Sequence, residues 1–409
     1  MKTLLINAAR CSSAVLLSAA VLLGAVSCGP KSTTHRNPEG LVSVNYADLK
    51  QGEDILISEW VGEPEFIALE SRPEALVTDG LLTISDQYIG VYRKNSETTP
   101  FKLFDRATGK YLRDIGGIGR GPGEYTGISS AQIDEAGGKV WISTIDRHNI
   151  YGYDIASGRL VADIKLPYKA DNNTNNGFNF LVDSLSSTIT IVPLPFKDKC
   201  PAAAWCQDMD GNILWEIPKT YTMEENVLLT MRTGRNTPGT MDLCFESNNT
   251  AQDTLYVLEN REIKPILTVQ FEGITEPNYI DLSEDRLFRS SSLLPGYAVI
   301  GISRSAGMTS RGAEFFIEYE YLPSVVMDRQ TEEVSLRNIV DDIMTWNDNN
   351  FRFSDGYLAN SYDALTFQEA GAKALTDGSL SEAARSRISS ILDGLTENDN
   401  IILMIAPLK

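Results

Sequence analysis

Residues 104–116 read FDRATGKYLRDIG and residues 153–165 read YDIASGRLVADIK, the same strand, turn and strand written twice. In register, Asp105 falls on Asp154, Gly109 on Gly158, Asp114 on Asp163 and Ile115 on Ile164, a recurrence after 49 residues. A hairpin unit repeated at that period marks a fold assembled radially from small sheets. The turn glycines supply the positive φ that a tight hairpin often requires. Asp328 occupies the position of Asp105 in a later unit whose turn lacks the glycine.

Outward from this pair, the pattern predicts strands at 54–57 and 66–69, an inner pair over 81–91 and a first outer hairpin over 101–115. A second blade is expected around Ile133, 140–143, 150–154 and 160–166, and a third over 180–218, turning at Asp210-Gly211. In the last strand of the second blade Leu160, Ala162, Ile164 and Leu166 alternate with Val161, Asp163 and Lys165, the period of a sheet packed on its neighbour. The fourth blade reads as reduced, with strands at 241–245, 254–258 and 265–271. The fifth holds 297–303, 314–319 and 325–327, and the sixth uses 357–361 and 401–408. Between the last two, Leu380, Ala383, Ala384, Ile388, Ile391, Leu392 and Leu395 follow helical spacing, with Ser379 and Glu382 as a capping box. The fold expected is all-β, a six-bladed β-propeller over residues 46–409 with one helix inserted in the last blade. An N-terminal strand near Ile55 or Phe66 is expected to pair into that blade and remove the exposed edges.

Residues 116–125, GGIGRGPGEY, lie between the two repeats. This Gly-x-Gly-x-Gly-Pro-Gly-Glu-Tyr pattern, Gly117 to Tyr125, resembles the six-bladed β-propeller lipoproteins of gut Gram-negative anaerobes, of the NHL/TolB-like type. Glu397-Asn398-Asp399-Asn400 ahead of the apolar strand 401–408 resembles the same family. The resemblance covers nearly the whole chain past residue 45. It implies the six-bladed ring and is nearly silent on activity.

The N-terminus points to export. Lys2 and Arg10 precede an apolar run over 14–26 that ends in Ala25-Val26-Ser27-Cys28. That run is shorter than the ~20 residues of a membrane-spanning helix, so it reads as a cleaved signal over 1–27. Small residues before a cysteine resemble a lipobox, which would make Cys28 the lipid-carrying first residue, followed by a flexible polar tether over 28–45. The expected location is the cell envelope, as an outer-membrane lipoprotein on its periplasmic or its surface face.

Removal of the signal takes two of the 36 basic residues and none of the 55 acidic ones, moving the net charge from −19 to −21. Such a surface repels phosphate backbones and excludes nucleic acid as a partner. Partners expected are the bilayer, through Cys28, and a protein or glycan ligand, neutral or cationic. Of the remaining cysteines, Cys200 and Cys206 can bridge if Pro201 turns the chain back, whereas along one strand they lie beyond disulfide reach. No CxxC occurs and the only histidines are His35 and His148, so neither zinc nor any other cofactor is expected.

Few residues suggest chemistry. Arg120, Glu124 and Tyr125 form a candidate grip for a small ligand near the axis, and the glycines around them equally describe a tight connection between blades. Residues 171–177, DNNTNNG, lack the spacing and the flanking helices of a calcium loop. His148 has no nucleophile placed beside it, and the acid pairs Glu224-Glu225, Glu332-Glu333 and Asp341-Asp342 are expected on the surface. The five tryptophans are expected mostly as packing between blades, with sugar stacking at the mouth as the alternative. The reading is a lipid-anchored propeller that binds a ligand or partner protein at one mouth of its channel without catalysis. Its alternatives are a lactonase-like or lyase-like enzyme with a site in the channel, and a structural accessory of an outer-membrane assembly.

Overall fold

Strands in runs of four form six antiparallel sheets around one axis, a six-bladed β-propeller. The computed structural model describes residues 35–36, 41–77, 80–94, 96–144, 149–168, 178–195, 200–220, 229–247, 252–271, 287–311, 314–345, 351–377 and 379–409. Blade one comprises Leu81–Ile84, Tyr88–Tyr92, Phe101–Asp105 and Tyr111–Ile115, from the axis outward. Blade two runs from Ile128–Asp134 to Leu160–Lys165, and blade three from Phe178–Asp183 to Ile213–Pro218. The fourth blade is not reduced. It opens with Leu229–Gly234, a strand the sequence pattern hides, and ends with Glu262–Gln270. Blade five contains two 15-residue strands, Tyr297–Arg311 and Glu314–Asp328.

An aspartate ends the third strand of four blades and folds the turn that follows. Asp105, Asp154, Asp208 and Asp328 each accept a backbone N–H through Oδ1, from Thr108, Ser157, Asn212 and Thr331, at 2.7–2.9 Å. Four residues on, Gly109 and Gly158 have φ of 71° and 68°. Each turn rests on the blade before it. A Cβ at Gly158 would lie 2.6 Å from Asp114 O, and one at Gly109 would lie 2.1 Å from Ala68 O in the closing strand. Glycine at these positions thus serves both the turn and the joint between blades. Blade five places Glu332 at the equivalent point with φ 60°.

The chain closes on itself in blade six. Its order is Phe353–Ser354, Tyr357–Tyr362, Ile402–Pro407 and, outermost, the N-terminal strand Glu65–Ala68. Met404 faces Phe66 and Leu403 faces Ile67 in this ladder. Burial of Phe66 and Ile67, 3% and 4% exposed, contributes about 1.5–3 kcal/mol each. A single net hydrogen bond contributes about 1 kcal/mol, so the ladder from Ile402↔Ala68 to Ile405↔Glu65 and the apolar packing both hold the clasp. Of the two candidate strands, Phe66 therefore closes the ring. Ile55–Leu56 instead pairs in parallel with Ile339–Val340.

Before the clasp, the N-terminal segment follows the outer edges of three blades. Val42–Asn45, within the stretch expected as tether, pairs in parallel with the last strand of blade four and buries Val42 and Val44. Gln51 then bridges to Leu336 beside blade five. The helix expected in the last blade is present at Glu382–Leu392, but its N-cap is Ser381, whose Oγ accepts from Ala384 N at 3.1 Å. A preceding helix, Ala364–Asp377, shares its apolar face; Phe367, Ala370, Ile388 and Ile391 pack with Phe66 and Met404 in one cluster.

The joint between blades predicts opposite effects of two substitutions. Gly158→Ala, which forces a side chain onto Asp114 O at positive φ, destabilises by about 1–3 kcal/mol. Glu332→Gly relieves left-handed strain and stabilises by up to about 1 kcal/mol. Denaturant unfolding of both variants checks the pair.

Candidate functional site

The hairpin of blade six turns through Asp355-Gly356, with φ of 54° and 86°, the two-residue turn that Asp-Gly favours. This turn carries the Asp355 carboxylate to the axis. Arg235 reaches the same point from the loop after Leu229–Gly234 and donates its Nε to Asp355 Oδ1 at 2.8 Å. Its other nitrogens donate to Ala131 O in blade two at 3.1 Å and to Phe180 O in blade three at 3.5 Å. Asp355 Oδ2 accepts from Ile84 N of blade one at 3.0 Å. Five blades thus converge on one ion pair.

Blade five joins through the neighbours of Arg235. The Asn236 amide donates to Leu293 O at 3.3 Å, and Asp242 Oδ2 accepts from Leu293 N at 3.2 Å. Asp242 is buried, and burial pushes its carboxyl up to about 6. Tyr92, also buried, has its phenol pushed up to about 12 by burial. Gln132 adds a staple between blades two and three, accepting from Val182 N at 2.9 Å and donating to Val182 O at 3.0 Å.

Arg235, Asp355, Asn236 and Asp242 form the floor of a cup in the channel. The cup has a volume of about 590 Å³ and is lined by the innermost strands of all six blades. Its lining reaches Gly80, at the other end of the blade-one strand, roughly 13 Å from Ile84 at strand rise. Leu81 pairs with Tyr92, which sets Arg93 beside Gly80, and Arg352 donates to Gly80 O at 3.3 Å. The wall between is polar, with serines contributed by blades two and five. A volume of this size falls in the range of small-molecule sites, about 300–1,000 Å³.

Arg120, Glu124 and Tyr125 do not meet in this cup. Tyr125 is fully buried; its hydroxyl donates to Ile115 O at 2.7 Å and accepts from Phe101 N at 2.8 Å. The Glu124 carboxylate accepts from Gly121 N at 2.8 Å and fills the space where a Cβ at Gly119 would stand. Arg120 is exposed. The loop packs blade one to blade two, the second of its two sequence readings. Cys28, His148, Trp346, Glu224-Glu225 and the loop 171–177 lie outside the described residues. Trp60, Trp141 and Trp205 are buried, and Trp215 is half-buried; none of the four lines the cup. Cys200 and Cys206 are free and buried. Of the acid pairs expected on the surface, Asp341 is buried instead, accepting from Ile343 N and Met344 N at 3.0 and 2.8 Å.

The groups that build the cup had weak signals. Asp355-Gly356 is a hairpin signal in its own right, but nothing local links it to Arg235, 120 residues away.

Fold and cup together define a closed six-bladed propeller with a charged, polar axial cavity. The chain belongs to the DUF4934 family, described as a domain of unknown function, whose pattern matches residues 41–407. No curated protein matches it. Among solved structures, an exported protein of Bacteroides fragilis is similar over 88% of this chain and 99% of its own, at 15% identity and a TM-score of 0.55. A member of the DUF4221 family from Bacteroides vulgatus covers 85% and 97%, at 9% identity and a TM-score of 0.48. These likenesses concern the fold.

Two predictions follow from the floor of the cup. Arg235→Met strands Asp355 and two carbonyls and costs about 3–5 kcal/mol, whereas adding Asp355→Asn costs clearly less than the sum of the single changes. A double-mutant cycle in urea measures that coupling. The raised Asp242 carboxyl favours the folded state below its unfolded value near 3.8, and this advantage is lost as pH rises toward 6. Asp242→Asn, which still accepts from Leu293 N, is therefore expected to gain about 1–2 kcal/mol over the parent near neutral pH and nothing near pH 4. Unfolding of both proteins across that range tests it.

Proposed function

We propose that this protein is a lipid-anchored propeller of the cell envelope, of the NHL/TolB-like type, that binds a ligand in its axial cup without transforming it. The observation that carries the reading is the cup itself. Six blades supply its wall, its size suits a small molecule, and its floor is locked by an ion pair rather than left open as a pore. Both carboxylates that face it are engaged, Asp355 by a guanidinium and by Ile84 N, Asp242 by Leu293 N. Groups already held in this way fix the shape of a binding site. The export segment and Cys28 support an outer-membrane anchor, on its periplasmic or surface face.

The enzyme reading draws on one observation, the displaced Asp242 carboxyl at the channel wall. Its oxygen points at a backbone N–H of blade five, which accounts for its burial without a substrate.

The test uses the purified full-length protein and a dialysable extract of the organism that makes it. The extract is expected to raise the melting temperature, and Asn179→Trp, which fills the cup from blade three, to abolish that shift. The bound compound is expected to be recovered unchanged. Conversion to a product would establish the enzyme reading, and an equal shift in the filled variant would place binding elsewhere. Mass spectrometry of the membrane-bound protein is expected to find a lipidated Cys28 at its N-terminus. An unmodified start at another residue contradicts the anchor.

A further inference from the structure

The chain between Cys28 and the first blade is not free along its length. Val42–Asn45 lies in parallel on Glu262–Gln270, the outermost strand of blade four, with Val42 opposite Leu267 and Val44 opposite Val269. Both valines are buried, in one apolar cluster with Leu255 and Val257 of the same blade. Tyr46 follows, its ring 5.4 Å from that of Phe271 just past the blade. One strand further out, His35 and Arg36 pair with Ser43 and Val42. The sheet of blade four thus has six strands where the other five blades have four.

This pairing shortens the tether. From Cys28 to His35 is 35 minus 28, or seven residues, and an extended chain spans at most about 3.6 Å per residue. A lipid on Cys28 therefore stays within roughly 25 Å of the blade-four edge at every orientation of the ring. Blade one stands opposite blade four in the ring of six. Three strand spacings of about 4.8 Å separate the inner from the outer edge of each blade, so these two rims are more than about 29 Å apart across the channel. Only the rim of blade four is bound to stay near the lipid. Residues 28–38 also contain Lys31 and Arg36 and no acidic residue, in a chain of net −19. Basic residues beside an anchor are drawn to anionic headgroups.

We propose that the outer edge of blade four is the side of the ring that meets the bilayer, with the paired strand Val42–Asn45 as the fixed point of the anchor and blade one turned away. This rests on the Cys28 anchor of the functional reading and adds which side of the propeller lies against lipid.

The test uses full-length protein extracted from membranes and reconstituted in vesicles of phosphatidylcholine and phosphatidylglycerol that carry an acceptor dye on some headgroups. A donor dye is attached at Arg261→Cys, in the exposed outer turn of blade four, or at Lys110→Cys, in the equivalent exposed turn of blade one. Cys200, Cys206 and Cys244 are buried and stay unlabelled. Energy transfer from Arg261→Cys is expected to exceed that from Lys110→Cys about twofold or more, given the reach of the tether. A Gly-Ser insertion of about 20 residues after Thr34, which about doubles the average reach, is expected to bring the two toward equality. Val42→Asp with Val44→Asp, which unpairs the strand and leaves the clasp at Glu65–Ala68 in place, is expected to do the same. Equal transfer in the parent, or stronger transfer from Lys110→Cys, overturns the inference, as does a contrast that survives both the insertion and the unpairing. Flotation of the vesicles separates this failure from failure of the anchor. Protein left behind when the vesicles float has no lipid on Cys28, and both readings then fall.

Discussion

Hydrogen bonds within a blade hold its four strands together but say nothing about where the next blade stands. The ion pair between Arg235 and Asp355 supplies that information at the axis. One guanidinium spans blades two, three and six, and one carboxylate carries the contact on to blade one. With Asn236 and Asp242 reaching Leu293, every blade is fixed to a common centre. In a partly buried setting such a pair is worth less for its net stability than for the penalty of losing one member. It acts as a register device at the axis, because apolar packing between six sheets is non-directional and does not by itself choose one spacing around the ring.

Two further constraints act at the rim. The strand Glu65–Ala68 completes blade six and removes the edge that an open ring would expose. The turn glycines of blades one and two seat against the preceding outer strand, and the turn of blade three lies against Lys165 O in the same way. Axis and rim therefore define the cup between them. Its floor is part of the architecture, and its mouth is free to vary.

Much of this was legible in the sequence because it is local. An aspartate followed four residues later by glycine announces the outer turns of blades one and two, and alternation in residues 160–166 announces a packed sheet. Phe66, flanked by Glu65 and Ile67, was legible as one of two closing strands, and the structure separates it from Ile55. The site was not legible. Leu229–Gly234 carries no clean alternation, so blade four looked short and Arg235 had no strand to belong to. The Gly-rich loop at 116–125 drew attention instead, because a ligand cradle and a tight blade connection share a composition. Tyr125 at its end is buried, with both capacities of its hydroxyl taken by backbone, which favours the connection.

The central claim, that the axial ion pair is closed in the resting protein and holds the blades in register, is tested most directly by native-state hydrogen exchange at Ile84. Its amide donates to Asp355 Oδ2 and to no strand partner across the sheet. The account predicts that this amide exchanges as slowly as those of the closing strand Ile402–Pro407, only when the whole ring opens. Fast exchange at Ile84 while the closing strand stays protected would show that the pair is open in the folded state, and would contradict it.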